Sequence, residues 1–249
     1  MVPRALGRTG LSLSPIGYGA FKLGRNQGTR YASPYALPDD AAVARLLAGL
    51  VDAGVTYYDT APAYGTSEER LGLVLPRSSG IVVSTKVGER FEDGRSSHDF
   101  SAPMVRASLE RSVRLLRRDP LDLVFVHAHA DDLTLSRDTE MVDALVEAKR
   151  AGLVRFVGFS GKTVAAARSA LAWADALMLE YHLDDRSHAQ VVAEACERGV
   201  GVVVKKGLAS GRLDAATALP FVLSQPGVTS VAVGSLSLER MKANIAAAR

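Results

Sequence analysis

The feature that most constrains this chain is an eightfold alternation of apolar runs with segments of helical periodicity. The apolar runs are Pro15 to Gly19, Thr56 to Asp59, Ile81 to Lys86, Leu121 to Val126, Val154 to Ser160, Asp175 to Tyr181, Val200 to Lys205 and Ser230 to Gly234. Most are continuous rather than alternating, so both faces are buried, as in a parallel sheet covered by helices. Between them fall helical patterns: a segment capped by Asp39 and ended by Gly54, then Ser67 to Leu75, Pro103 to Leu116, Thr139 to Ala151, Thr163 to Trp173, Arg186 to Arg198, Ala215 to Gln225 and Ser237 to Ala248. In the first, Val43, Leu46, Leu47, Leu50 and Val51 share one helical face. Eight units of about 30 residues predict an α/β fold, a (β/α)₈ barrel. Gly turn signals between Leu6 and Leu13 add an N-terminal β-hairpin. No Pro/Gly/Ser linker interrupts the alternation, so residues 1–249 read as one domain.

Composition narrows the setting. A hydrophobic fraction of 47% is ordinary for a globular chain, and no apolar run approaches the roughly 18 residues that span a bilayer. The start, Met1-Val2-Pro3-Arg4-Ala5, lacks the apolar core of a signal peptide. The single cysteine, Cys196, excludes an intrachain disulfide framework and reads as a small core residue. These observations lead to the expectation of a cytoplasmic protein without a membrane partner. The net charge of +3 is spread among acids, with no basic stripe interleaved with aromatics. That argues against nucleic acid and for anionic small molecules.

In a barrel of this kind the chemistry gathers at the C-terminal ends of the strands, and side chains alternate along each strand. Asp59, Lys86 and His127 each end a strand and can point into one mouth. Tyr64 follows Asp59 in a loop punctuated by Pro62 and Gly65. The next residues, Thr66 to Glu69, have the spacing of a capping box. A buried lysine beside a carboxylate stays charged, and its charge favours phenolate on a nearby tyrosine, which makes Tyr64 a general acid at neutral pH. Each residue alone is as easily structural. Four such groups on successive strands are hard to explain as packing.

These segments resemble an aldo-keto reductase. The resemblance rests on Gly7-Arg8-Thr9-Gly10-Leu11, Asp59-Thr60-Ala61-Pro62-Ala63-Tyr64-Gly65, Ser84-Thr85-Lys86, Leu123 to His127, Gly158-Phe159-Ser160 and Val233-Gly234-Ser235. It implies a catalytic tetrad of Asp59, Tyr64, Lys86 and His127: the tyrosine gives a proton to a carbonyl, a nicotinamide gives hydride, and the histidine orients the carbonyl. It also implies an NADP(H) cofactor and a small-molecule carbonyl or alcohol substrate. Ser160, Gly161 and Met178 stand where the family carries Ser, Asn and Gln around the carboxamide. Lys205, followed by Lys206, stands where it carries a ring-stacking aromatic. The amides of Gly234, Ser235 and Leu236 open the last helix as an anion site. Arg240 and Asn244, one turn apart on that helix, match the residues that read the adenosine end.

Three other readings compete. His127-Ala128-His129, with Asp131, Asp132 and His182, has the look of a metal-dependent hydrolase, although His-x-His is a weak signal. Lys86, Lys205 and Lys206 end strands and could serve a Schiff-base aldolase. The resemblance also extends to potassium-channel β subunits, which bind the cofactor while acting mainly as partners. Trp173 reads as packing. Pocket shape is expected from the long segment Phe21 to Pro38 and the loop after His129. With little chain after the last helix, the pocket is expected to be open.

Overall fold

The structure, a computed structural model, describes residues 1–28, 35–77 and 80–248. Strands β1 (Arg4–Ala5) and β2 (Ser12–Leu13) form an antiparallel hairpin, followed by β3 (Ile16–Gly19), the short helix α1 (Phe21–Gly24) and α2 (Asp40–Asp52). Strand β4 (Tyr57–Asp59) leads through a 3₁₀ turn at Pro62–Tyr64 into α3 (Ser67–Val74). Then come β5 (Val82–Val87), a second hairpin of β6 (Glu89–Glu92) and β7 (Arg95–His98), α4 (Ala102–Leu116) and β8 (Leu121–His127). Helices α5 (Asp132–Leu135) and α6 (Thr139–Arg150) precede β9 (Val154–Ser160), α7 (Val164–Ala170), β10 (Ala176–Glu180), α8 (Ala189–Arg198) and β11 (Gly201–Lys205). A 3₁₀ turn at Ala209–Gly211, α9 (Ala215–Ser224), β12 (Val228–Val233) and α10 (Leu238–Ala247) complete the chain.

Strands β3, β4, β5 and β8 to β12 pair in parallel and close into a barrel, with β12 returning to β3. The eight expected strands and the eight covering helices are all present. The outer apolar layer lies between strands and helices, as continuous runs require. A second cluster fills the barrel: Tyr57, Val82, Leu123, Phe125, Met178 and Val203, closed at the N-terminal end by Leu6, Leu11 and Leu13 from the hairpin. The period of two then fixes the mouth. Asp59 lies two residues beyond Tyr57, His127 two beyond Phe125, Glu180 two beyond Met178 and Lys205 two beyond Val203. Register aligns these ends, with Asp59 opposite Ser84, His127 opposite Ser160 and Glu180 opposite Lys205.

Asp39 caps α2 by accepting from the amide of Ala42, and Val43, Leu46, Leu47 and Leu50 are its buried face, as the spacing predicts. Elsewhere the structure corrects the sequence. The capping box is not formed: the Thr66 side chain makes no cap bond, and Glu69 is exposed. The two residues between them turn inward instead. Ser67 donates to the carbonyl of Ala20, and Glu68 accepts from Thr85 and Ser112 at 2.6 and 2.7 Å. Cys196 is exposed, at the edge of the buried stripe of Val191, Val192 and Ala195. Helix α8 starts three residues later than expected, because His182 and Asp185 bridge in a turn that uses up the preceding chain. The long segment after β3 opens with α1; residues 29–34 of that segment lie outside the described residues. Hairpin β6–β7, between Lys86 and Pro103, has no counterpart in the expected elements.

Candidate active site

Asp59 and Lys86 meet at the top of β4 and β5. Lys86 donates to both carboxylate oxygens of Asp59, at 2.8 and 2.7 Å, and to the carbonyl of Thr60 at 2.8 Å. The pair is almost wholly buried, with 4% and 1% of each residue exposed. Ser84 donates to Asp59 at 2.7 Å, and Tyr57 and Ser84 share a hydrogen bond of 2.8 Å beneath it. Burial, the largest influence, pulls the Lys86 ammonium downward in pKa, but the charges and hydrogen bonds of Asp59 and Tyr64 together outweigh it and leave Lys86 above its ordinary value. A lysine so held keeps its proton, which argues against it as the nucleophile of the aldolase reading.

Tyr64 ends the 3₁₀ turn, whose position is set by a close crossing of two glycines. Gly65 has φ +60, and a Cβ on it would stand 2.2 Å from the carbonyl oxygen of Gly24. The Tyr64 ring lies under Lys86, 4.7 Å from Nζ to the ring centroid, and edge-on to His127 at 6.0 Å and to Phe21 at 5.0 Å. Burial pushes the Tyr64 phenol up, Lys86 pulls it down and Asp59 pushes it up, with a net rise. The expectation that Lys86 tips the phenol toward phenolate is therefore overturned: burial outweighs the single cation.

His127 closes the group. Glu89 Oε2, from β6, lies 3.0 Å from its Nδ1. Burial lowers the His127 pKa, Glu89 raises it, and Lys86 and Lys205 lower it, so the ring sits below its ordinary value. Glu89 was not foreseen in the sequence, although Asp93-Gly94 carries a strong hairpin signal. Both residues have positive φ, 49 and 77°, as a two-residue type I′ loop requires.

The other predicted site residues fall into two groups. Lys205 reaches across the mouth, donating to the Ser160 hydroxyl at 3.0 Å and the Gly161 carbonyl at 2.7 Å. Burial, then the charges of Lys206 and Lys86, lower its pKa to about 7. Met178 lies deeper, 2% exposed among the apolar side chains of the interior. Lys206 turns away to an ion pair with Glu180. Near α10, Gly234 is exposed, Leu236 packs against the outer core, Asn244 is 9% exposed and Arg240 is exposed. Ser237 caps the helix by accepting from the Arg240 amide, while Ser235 accepts from Ser237 and offers its carbonyl to Tyr18. Partial burial and then the Arg240 charge hold the Lys22 ammonium below its ordinary pKa. Two cations close enough to repel, beside a helix N-terminus, suit an anion. At the other end, the Lys205 amine and the Gly161 carbonyl, bonded to each other, are a donor and an acceptor of the kind a carboxamide pairs with.

The proposed metal ligands are engaged separately. Asp131 caps α5, Asp132 binds the amides of Lys162 and Thr163, and His129 packs on His98 and Phe100. Among the described residues no three His, Cys, Asp or Glu gather to hold a metal ion, and no helix is long and apolar enough to cross a membrane.

The sequence pattern of the aldo/keto reductase family matches residues 15–220. The chain belongs to that family, and with it to the oxidoreductases. Members act on small-molecule carbonyl compounds with a nicotinamide cofactor. The chain is 33% identical over 224 residues to an L-galactose dehydrogenase of Arabidopsis thaliana, covering 84% of this chain and 66% of that one. To a D-threo-aldose 1-dehydrogenase of Pseudomonas sp it is 33% identical over 242 residues, covering 84% and 70%. The chain thus spans about two thirds of the length of these curated relatives. Among solved structures, a protein of Pseudomonas aeruginosa assigned to the aldo-keto reductases is 42% identical, with TM-score 0.90 over 99% of this chain and 93% of that one. The holo form of aldo-keto reductase AKR11C1 from Bacillus halodurans is 26% identical, with TM-score 0.85 over 99% and 90%.

Proposed function

We propose that this protein is an NADP(H)-dependent oxidoreductase that interconverts a carbonyl and an alcohol on a small polyhydroxylated substrate of the aldose kind. The observation that carries the reading is the buried Asp59–Lys86 pair lying against the ring of Tyr64, with His127 edge-on to the same ring. The aldose class is drawn from the names of the two sugar dehydrogenases among the relatives.

The residues divide the work by position. Tyr64 is the proton donor: its raised pKa keeps the phenol protonated and loaded at neutral pH. As the proton leaves, the Lys86 cation stabilises the phenolate that forms, in a site where charges are weakly screened. Asp59 keeps Lys86 charged and in place. His127 orients the substrate oxygen beside Tyr64, accepting from the alcohol when neutral and donating to the carbonyl when protonated. The bound nicotinamide supplies or accepts the hydride. Ser160, Gly161 and Lys205 would hold its carboxamide end, over the apolar floor that includes Met178. Gly234, Ser235, Leu236, Arg240 and Asn244 would hold its phosphate and adenosine end. The Lys206 ammonium, paired with Glu180, lies outside this division of roles.

The test is a panel of aldoses, simple aldehydes and ketones, each followed by nicotinamide absorbance with NADPH and NADH, and with the corresponding alcohols in reverse. Turnover of at least one aldose or aldehyde with NADPH is the expected result. Quenching of protein fluorescence by neither cofactor, with no turnover, overturns the proposal.

A further inference from the structure

Strand β5 ends at Val87, and Gly88 turns the chain straight into the β6–β7 hairpin. Gly88 has φ +100, and a Cβ there would stand 2.0 Å from the Phe100 ring, so glycine is required. The turn delivers Glu89 over the barrel mouth, and three groups fix its carboxylate. Ser96, across the hairpin, donates to Oε1 at 2.8 Å. Arg25 Nη1 stands 3.7 Å from Oε1; that guanidinium is itself buried, bonded to the carbonyl of Ala63 and stacked 3.7 Å from the Phe91 ring. His127 Nδ1 lies 3.0 Å from Oε2.

An ionised carboxylate only accepts hydrogen bonds, and a neutral imidazole carries hydrogen on one nitrogen only. Nδ1 is not aimed squarely at Oε2, but an anionic oxygen 3.0 Å away favours hydrogen over a lone pair on the nitrogen beside it, so the hydrogen belongs on Nδ1. Nδ1 is buried and has no well-aligned partner among the described residues, which leaves Glu89 as the acceptor within reach. The His127 side chain nevertheless keeps 20% exposure, which must come from the rest of the ring. We infer that Glu89 is a positioning residue that fixes the neutral His127 ring with hydrogen on Nδ1, leaving Nε2 open to the mouth as an acceptor for a substrate hydroxyl. The inference rests on the oxidoreductase reading above and sharpens its substrate class: at neutral pH the site receives a hydroxyl donor, an alcohol or the ring hydroxyl of a cyclic aldose. A carbonyl oxygen is bound through His127 only when the ring is protonated.

The charged groups around His127 set when that happens. Glu89 faces it from β6, Lys86 from β5, Lys205 from β11 and Tyr64 from the 3₁₀ turn, while Arg25 and His98 act on Glu89. Burial and the two lysines lower the His127 pKa, and Glu89 alone among these causes raises it. Burial raises the Glu89 carboxyl, but His127, Ser96 and His98 together outweigh it and hold it at about 2, so it remains an anion throughout the working range.

Nitrogen-15 NMR of the histidines in the cofactor-free protein reads the tautomer directly, with the His127 signals assigned by loss in His127→Gln. The expected wild-type result, above the titration of the ring, is hydrogen on Nδ1 and a bare Nε2. Glu89→Gln can offer an amide N–H to Nδ1. It is expected to shift the population toward hydrogen on Nε2 and to move the His127 titration to lower pH. With cofactor and an alcohol substrate, Glu89→Gln should lower kcat about tenfold, the loss of one hydrogen bond to a charged group, with the cofactor KM unchanged. Hydrogen on Nε2 in the wild type overturns the inference, even if the variant fails to fold. So does a Glu89→Gln protein whose tautomer and titration match wild type. Should the protein lack all oxidoreductase activity while the NMR signals respond to Glu89 as described, the proposed reaction falls and the positioning role stands.

Discussion

Lys86 Nζ lies within hydrogen-bonding distance of both carboxylate oxygens of Asp59, at 2.8 and 2.7 Å, with almost no solvent access to either side chain. Removing one partner from such a pair strands the other charge in a poorly solvating site. Asp59→Asn should therefore cost about 3–5 kcal/mol of stability in urea unfolding at pH 7. The Lys86 pKa is raised in the folded state, so its contribution is fully present below the ordinary lysine value of 10.5 and is lost as pH rises through the higher folded one. The gap between wild type and Asp59→Asn should be present at neutral pH and narrow as pH rises and the stranded Lys86 of the variant sheds its proton. A gap already absent at pH 7 would mean that the pair does not contribute to stability.

Tyr64→Phe removes the proposed proton donor and leaves the Asp59–Lys86 pair over the ring intact. We expect kcat to fall about 10²–10⁴-fold, the usual contribution of a general acid, with cofactor affinity retained. Because burial raises the phenol above its ordinary value of 10, wild-type carbonyl reduction should show no basic limb assignable to Tyr64 below that pH. Rapid-mixing turnover across pH checks both statements. A variant as fast as wild type removes Tyr64 from the chemistry.

Lys205 has the opposite linkage to Lys86. Its folded pKa is lowered to about 7, first by burial and then by Lys206 and Lys86, whereas the unfolded chain holds the proton to about 10.5. Between those values the unfolded state binds more protons, so stability should rise with pH. Lys205→Met should abolish that rise and be the more stable protein at the acid end of the window. Urea midpoints measured from pH 7 to 10 decide the matter, and parallel curves for the two proteins would show that Lys205 is not depressed.

The parts of this site that were legible in the sequence are those fixed by periodicity. Asp59, Lys86 and His127 end apolar strands, and a period of two carries them to the mouth however the helices pack. Glu89 was not legible. Its hairpin flanks, Glu89-Arg90-Phe91-Glu92 and Arg95-Ser96-Ser97-His98, are mostly polar and lack the apolar alternation that marks a strand, so only Asp93-Gly94 betrayed the turn. The direction of the Tyr64 shift was misread for a different reason. A neighbouring cation can be named from sequence, but the depth of burial is a sum over Phe21, His127 and the surrounding turn, which meet only in the folded chain. Lys205 likewise became informative only when the fold set its ammonium on Ser160 and Gly161.

The proposed preference for NADPH places the choice of cofactor at the start of α10. Ser237 uses its side chain to cap the helix, and the Arg240 side chain stands exposed on the first turn. Its charge reaches Lys22, whose ammonium is lowered by burial and then by Arg240, so this rim is rich in positive charge. A guanidinium binds a phosphate through bidentate, charge-assisted hydrogen bonds, and only NADPH carries the 2′-phosphate. Bonds of that kind contribute on the order of 1.5–3 kcal/mol, a preference of roughly 10- to 100-fold over NADH. Arg240→Ala should weaken NADPH by that factor and leave NADH nearly unchanged. The Lys205 region concerns the other end of the cofactor, so Lys205→Met should alter both affinities alike. Fluorescence titration of each cofactor against wild type and both variants makes the comparison. Equal NADPH affinity in wild type and Arg240→Ala would take Arg240 out of the site and leave the preference to Lys22 and Ser235.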